Sequence, residues 1–366
     1  MPSSVEIADR KIGQGYPCFI VAEVGSSHCQ SFDIACQLVR AAKEAGADAV
    51  KLQTYKPETM TLDSPRSEFM VNEKVHKGSL WDLYKDTAMP WDWCPELKAL
   101  ADQIGITLFS APFDKTAVDF LDQMGVPCFK IASCELVDLP LIQYAASKGK
   151  PMILSTGMAT WDEIVEAIEA CRAADNDQII VLKCSSAYPA PPEEMNLRTI
   201  ATMLHDPDCA LGYPIGLSDH TLGYTAALVA VTVGANLVEK HIKLDPSTHS
   251  PDSEFSLPAN LITKDDESIT FGDMVEAIRE AEAMLGSPFY ELGPREMAMR
   301  RFRRSLYAVA DIKKGEQFTE ANLRTIRPAN GLAPKYLGQI LGSKAKSNIE
   351  YGTPLSWEMV EVKEES

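Results

Sequence analysis

The chain has 366 residues, enough for one large domain and a small one, and carries a formal charge of −17 with a sequence pI near 4.8. That balance excludes a general nucleic-acid or anionic-membrane binder, which needs a basic face, yet leaves room for a small anionic substrate held by a few buried lysines. No run approaches the ~18 apolar residues of a membrane helix, and the start, MPSSVEIADRKIGQG, has no apolar signal core.

From Cys18 onward, short apolar runs alternate with amphipathic segments, many closed by glycine. CFIVAEVG leads to FDIACQLVRAAKEAG. AVKLQT leads, after a long interruption, to WDWCPELKALADQIG. ITLFSAPF, CFKIAS, PMILSTG and QIIVLKCSSAYP follow, each with a helical partner. LGYPIGLSDH leads to an apolar helix expected over Thr221–Gly234, and NLVEKHIKLD leads to FGDMVEAIREAEAMLG. About eight such units over ~270 residues is the length of an α/β (β/α)8 TIM barrel. A doubly wound open sheet is the alternative, but no GxGxxG follows the first strand. The barrel is placed at 1–286, a linker at 287–303 and a small β-rich domain at 304–366, with tight turns at KKGE and EYGT. The stretch 55–90 is too long for an ordinary βα loop and carries Lys56, Arg66, Lys74, His76 and Trp81, so it is expected to be a lid or substrate loop. The nine cysteines are odd in number, without a CxxC pair, and several sit in apolar runs; they read as reduced thiols of a cytoplasmic protein.

Barrel chemistry sits at the C-terminal ends of the strands. These ends carry Glu23; Lys51 and Gln53, which share a face; Ser110; Lys130, Ser133 and Glu135; Ser155 and Thr156; Ser186 and Tyr188; Ser218, Asp219 and His220; and Glu239 and His241. Strands seven and eight are parallel neighbours, so His220 and His241 should meet and could hold a divalent metal. Lysines inside AVKLQT and CFKIAS are costly to bury alone. They are read as a pair of cations for a phosphate or carboxylate, with a Schiff-base lysine or a structural ion pair as alternatives. Lys183 and Lys240 have the opposite parity and are left out of the site.

Several segments together, VAEVGSSH, EAGADAVKLQTY, FSAPFD, FKIAS, STGMAT, LKCSSAYPAP, GLSDHTLG and VEKHIKLD, resemble the sialic-acid synthase family. The end of the chain, with RRSLYAVADIKKGE and IRPANG, looks like that family's antifreeze-like SAF domain. KLQTYKPETMTLD, LWDLYKD and PDSEFSL look most like the pseudaminic acid synthase branch. The resemblance implies condensation of phosphoenolpyruvate with an open-chain N-acetylated amino hexose to a nine-carbon 2-keto sugar acid. N-Acetylneuraminate and legionaminate synthases are the near alternatives; a Schiff-base lyase and a non-catalytic carbohydrate-binding protein are the distant ones. It further implies that His220 and His241 bind a divalent ion (Mn²⁺, Mg²⁺ or Co²⁺), and that Lys51, Lys130, Ser133, Ser155, Ser186 and Ser218 surround phosphoenolpyruvate; Ser110, at the end of the third strand, is counted as substrate-binding from its position. Glu23 would handle water or a proton at C2, and Gln53, Glu135, Tyr188 and Asp252 would contact the sugar. Arg327 matches the SAF arginine that reaches a partner's barrel mouth, implying a domain-swapped homodimer. The chain departs from the family at Ser27-His28-Cys29, often Asn-His-Asn, at Ala111, and at Ser186, where neuraminate synthases have Asn.

Overall fold

The computed structural model describes residues 4–72, 77–206, 211–260 and 268–361. The chain divides into two compact units, Met1–Gly286 and Ser287–Ser366. The first is a closed ring of eight parallel strands: β1 Phe19–Glu23, β2 Ala49–Thr54, β3 Thr107–Pro112, β4 Phe129–Ile131, β5 Met152–Ser155, β6 Ile179–Cys184, β7 Ile215–Asp219 and β8 Leu237–Lys243. Each strand pairs with its sequence neighbour, and β8 pairs with β1, which closes the barrel. These strands read as unbroken apolar runs because one face packs inside the barrel and the other under the helices. The outer layer consists of α1 Phe32–Glu44, α2 Trp93–Ile104, α3 Lys115–Gln123, α4 Leu139–Ala146, α5 Trp161–Arg172, α6 Arg198–His205, α7 Thr225–Thr232 and α8 Phe271–Leu285.

Local chemistry marks the helix ends. Asp114 accepts from the backbone N–H of Thr116 and Ala117 at the start of α3, and Thr160 with Glu163 forms a capping box on α5. Gly105 closes α2 with φ 72°. Helix α7 begins four residues later than the periodicity suggests, because Asp219 Oδ1 accepts both the backbone N–H and the hydroxyl of Thr221 and draws the segment into a turn. Among the described residues no helix is long and apolar enough to cross a membrane.

Three features lie outside the sequence reading. An antiparallel hairpin, Ser4–Ile7 with Arg10–Gly13, precedes the barrel, and Arg10 and Arg279 both pair with Asp48 at the start of β2. Within the 55–90 stretch the described residues form a short helix (Pro57–Met60), an antiparallel strand pair (Met70–Asn72 with Lys77–Ser79) and a second helix (Leu80–Thr87). Lys74 and His76, named above as part of that loop, lie outside the described residues. The segment read as a linker holds a helix, Pro294–Met299, and a 3-10 turn, Arg300–Phe302.

The second unit has its own core, in which Leu306, Ile312, Phe318, Leu323, Ile340 and Val360 are among the buried side chains. Its strands are short, two to four residues each, and pair antiparallel: Ser305–Ala308 with Leu323–Ile326, and Lys344–Ala345 with Val360–Glu361.

Candidate active site

Register decides which side chains share the barrel mouth. Across β8, β1 and β2 the partners His241, Glu23 and Lys51 stand in one row, and Ser218 on β7 stands beside Glu239 on β8. These positions point inward, and the charges they carry meet. Lys51 Nζ lies 2.8 Å from Glu23 Oε2 and 3.5 Å from Glu239 Oε1. Lys130 Nζ, from β4, lies 3.1 Å from the same Glu239 oxygen, and Ser218 Oγ donates to it at 3.3 Å. Gln53 Nε2 donates to Glu23 Oε1 at 2.7 Å. All four charged groups are buried. A buried lysine pair demands a counter-charge between its members, and Glu239 is that charge.

The titration of the cluster is uneven. Burial raises the Glu23 carboxyl, against the pull of Lys51. Burial works the same way on Glu239, but there Lys130 and Lys51 together prevail and hold it at about 2. Burial lowers Lys130, whereas Glu23 and Glu239 outweigh burial at Lys51 and raise it. The floor thus brings together two lysines, one firm anion at Glu239 and a second carboxyl, Glu23, whose pKa burial raises, an arrangement able to take an anionic ligand.

Hydroxyls complete one side of the floor. Ser133 Oγ accepts the backbone N–H of Gly157 at 3.1 Å. Ser155 Oγ is buried and makes no hydrogen bond. Ser186 Oγ also stands against Gly157: a Cβ there would lie 2.1 Å from it and 2.7 Å from Ser133 Oγ. Only glycine lets both hydroxyls and the backbone N–H approach one another.

The imidazoles of His220 and His241 stand above this floor, ring centroids 5.4 Å apart, both packed on Phe255. His220 Nδ1 is 3.2 Å from the Ser185 carbonyl, which assigns the proton to Nδ1 and leaves Nε2 as the lone-pair nitrogen. Burial, then the neighbouring His241, push His220 down to about 3, and burial pushes His241 down to about 4. Both rings are therefore neutral near neutral pH. His241 Nδ1 is buried without a hydrogen bond, with Asp252 Oδ2 3.9 Å away. Asp252 is held by the backbone N–H and the hydroxyl of Ser26, both at 2.7 Å. Gly25, at φ 47°, permits this approach; a Cβ would lie 2.4 Å from Asp252 Oδ2 and 3.0 Å from the His241 ring.

One cavity of about 290 Å³ gathers Glu23, Lys51, Gln53, Lys130, Ser133, Glu135, Ser155, Tyr188, Ser218, His220, His241 and Asp252. Burial raises Glu135 to about 7. Tyr188 stands at the rim, its ring 4.5 Å from that of His220. Ser110 is a correction. Alternation puts it opposite Leu52, on the helix-facing side of the sheet, where its hydroxyl pairs with Thr54 at 2.7 Å; the inward neighbours of Lys51 and Gln53 are Phe109 and Ala111. Asp219 likewise faces outward and pairs with Lys240 at 3.0 Å, fully buried. Arg327 belongs to the second unit, where it lines a separate cavity with Arg303 and Arg304. Glu239 was named at its strand end but given no role, although its parity with His241 and the need of two buried lysines for an anion both pointed to it. Tyr55, Met60, Leu83, Tyr84 and Phe113 were missed; Tyr55 and Phe113 directly follow β2 and β3, whereas the others are scattered through a polar segment that gives no local signal.

The NeuB family profile matches residues 38–290 and the SAF domain profile matches residues 303–361. Pseudaminic acid synthase of Helicobacter pylori is 41% identical over 94% of this chain and 98% of that protein. Pseudaminic acid synthase of Campylobacter jejuni is 40% identical over 92% of this chain and 95% of that protein. Among solved structures, the N-acetylneuraminic acid (sialic acid) synthetase of Leptospira borgpetersenii, in complex with citrate, superposes with a TM-score of 0.69 at 28% identity, covering 81% of this chain and 94% of that one. The eight-stranded barrel with its inward lysines and histidines is the catalytic half of this architecture, and the chain belongs to the NeuB family of sialic-acid-type synthases, with a SAF domain at its C-terminal end.

Proposed function

We propose that the chain is a pseudaminic-acid-type synthase, a transferase that condenses phosphoenolpyruvate with an open-chain N-acetylated amino hexose. The observation that carries this reading is the floor itself: two lysines sharing one carboxylate, ringed by serine hydroxyls, beneath two neutral imidazoles. In the reaction C3 of phosphoenolpyruvate bonds to the aldehyde carbon, water adds at C2, and phosphate leaves with cleavage of its bond to C2, giving the nine-carbon 2-keto acid. Lys51, Lys130, Ser133, Ser155, Ser186 and Ser218 hold the phosphate and carboxylate through charge-assisted hydrogen bonds. Glu23 takes the proton of the water that adds at C2, and burial, by raising its carboxyl, makes it a stronger base than an ordinary carboxylate. Gln53 orients Glu23, and with Glu135, Tyr188 and Asp252 contacts the sugar.

His220 and His241 suit a divalent ion. Both are neutral donors, His220 offers Nε2, and the buried Nδ1 of His241 has no hydrogen-bond partner. Among the described residues no group of three or more His, Cys, Asp and Glu converges, so substrate and water would supply the remaining ligands. Bound Mn²⁺, Mg²⁺ or Co²⁺ supplies Lewis acidity toward the aldehyde oxygen.

The active form is a homodimer in the cytoplasm. Arg303, Arg304 and Arg327 of the second unit cluster in a chain of net charge −17, and Val137, Met158 and Leu222 are exposed in loops past β4, β5 and β7. In this reading the SAF module of a partner subunit brings Arg327 to the barrel mouth. Mixing inactive Arg327→Ala and His220→Ala proteins regains activity if the site is shared between subunits, and does not if it is not.

A substrate panel tests the function. Phosphate release from phosphoenolpyruvate is expected only with an amino sugar, and fastest with a 6-deoxy-2,4-diacetamido hexose. Preference for N-acetylmannosamine would mark a neuraminate synthase instead, and turnover without any sugar would refute the synthase reading.

A further inference from the structure

The Ser185 carbonyl, 3.2 Å from Nδ1, fixes the His220 ring. His241 has no such bond. Its Nδ1 is buried without a hydrogen-bond partner, and a buried polar nitrogen left alone is costly. The ring edge that carries Nδ1 lies against the turn past β1: a Cβ on Gly25 would stand 3.0 Å from both Nδ1 and Cε1. That edge has no room for an ion with its own ligands. Nε2 is therefore the nitrogen left to face the cavity that His241 lines.

The acceptor within reach of Nδ1 is Asp252 Oδ2, 3.9 Å away. This is longer than a hydrogen bond, but the oxygen is fixed. Ser26 donates to it twice, from its backbone N–H and from its hydroxyl, each at 2.7 Å. The Ser26 hydroxyl in turn accepts the Asp252 N–H at 3.3 Å. From the other side of the loop Ser256 Oγ donates to the Asp252 carbonyl at 2.6 Å, and Lys243 Nζ donates to the Ser253 carbonyl at 3.0 Å. The His241 ring is held by packing on Phe255, centroids 4.9 Å apart, which lets it turn toward a fixed oxygen. Gly25, at φ 47°, brings the turn this close, since a Cβ would lie 2.4 Å from Oδ2.

Resting on the metal reading of the histidine pair, we infer that Ser26 is a positioning residue: it pins Asp252 so that Oδ2 takes the Nδ1–H of His241 and leaves Nε2 of that ring to the divalent ion. Both histidines then carry the proton on Nδ1, His220 toward a carbonyl and His241 toward a carboxylate, and both present Nε2. A carboxylate behind a ligating imidazole fixes its tautomer and makes it a better donor to the ion. Bonds of this kind are often long in a resting site and shorten in the working complex. Asp252 Oδ1 stays available to the acceptor sugar, so one carboxylate serves the ring and the substrate. Ser26 itself acts only through Asp252.

Two readouts test this without turnover, both on the full chain and without substrates. The first is the Mn²⁺ dissociation constant, from an electron paramagnetic resonance titration. Asp252→Ala should weaken Mn²⁺ binding roughly 10–100-fold. Ser26→Ala, which keeps one of the two donors, should weaken it roughly 3–10-fold. In the Asp252→Ala background Ser26→Ala should change it by less than about twofold, because the two act as one unit. The second is the His241 tautomer in ¹⁵N-histidine-labelled, metal-free protein, expected as Nδ1–H. A Ser26→Ala protein that melts lower but binds Mn²⁺ as wild type does would make Ser26 structural only and overturn the inference. So would a full Ser26→Ala effect in the Asp252→Ala background, or a proton on Nε2 of His241. A wild-type protein that binds no Mn²⁺ overturns the metal reading itself and this inference with it.

Discussion

Replacing Gly157 with alanine isolates the hydroxyl cradle from the rest of the site. The new Cβ would stand 2.1 Å from Ser186 Oγ, 2.7 Å from Ser133 Oγ and 3.1 Å from Ser133 Cβ. None of these separations can persist, and the two hydroxyls must rotate away. The folding cost is small, because Gly157 is not among the glycines with positive φ and the displaced atoms end short side chains. Losing the bond from the Gly157 N–H to Ser133 costs about 1 kcal/mol, a fall in melting temperature of roughly 2–4 °C. The catalytic cost is larger. Two hydroxyl donors to a charged ligand contribute about 1.5–3 kcal/mol each, so kcat/KM for phosphoenolpyruvate should fall by roughly 10²–10⁴, at 1.4 kcal/mol per tenfold. The assay is phosphate release with phosphoenolpyruvate varied at saturating acceptor, alongside a thermal melt. A folded Gly157→Ala protein with kcat/KM for phosphoenolpyruvate within about threefold of wild type would refute the cradle, since even one lost charged hydrogen bond exceeds that.

Three other substitutions probe separate parts of the account. Glu23→Gln should lower kcat by roughly 10²–10⁴ and flatten the acid limb of the rate profile; in wild type the basic form of Glu23 is active, so activity falls as pH drops through its raised pKa, about tenfold per unit below it. An unchanged acid limb in Glu23→Gln would move the base elsewhere. Lys240→Met leaves Asp219 as a buried, unpaired charge and should cost about 3–5 kcal/mol in a denaturant titration, with most of it regained in the Asp219→Asn, Lys240→Met double variant; additive losses would contradict the pairing. His220→Ala and His241→Ala should each abolish the activity that Mn²⁺ restores to chelated protein. Wild-type turnover by either variant after chelation would remove the metal from the site.

Strand and helix periodicity made the barrel legible, because a buried parallel strand leaves a continuous apolar run and the intervening helices carry caps and glycine stops. The site was legible wherever parity could be counted from one firm anchor: Lys51 with Gln53 on β2, and Glu239 with His241 on β8, both come out on the inner face. Ser110 failed for want of that count. Its strand reads as apolar on both sides, so nothing local tells an inward serine from an outward one; only the register against Lys51 does. The late start of α7 depends on one contact, Asp219 with Thr221, which competes with helix propensity and has no periodic signal. The apolar side of the cavity was hidden for a different reason. Its members come from Tyr55, the 57–87 segment and Phe113, which periodicity treats as loop, and they form a surface only once the barrel closes. The N-terminal hairpin is similar: its alternation covers four residues per strand, too short to separate from a loop without Arg10 and Asp48 in place.

The measurement that bears most directly on the central claim follows the bridging oxygen of phosphoenolpyruvate. Phosphoenolpyruvate labelled with ¹⁸O between C2 and phosphorus is incubated with the enzyme, a divalent ion and the diacetamido acceptor, and the products are weighed by mass spectrometry. Condensation on the Lys51–Glu239–Lys130 floor, with water adding at C2, predicts that the label leaves in inorganic phosphate, one phosphate per keto acid, and only when acceptor is present. Label retained in the keto acid, or phosphate released without acceptor, would contradict it.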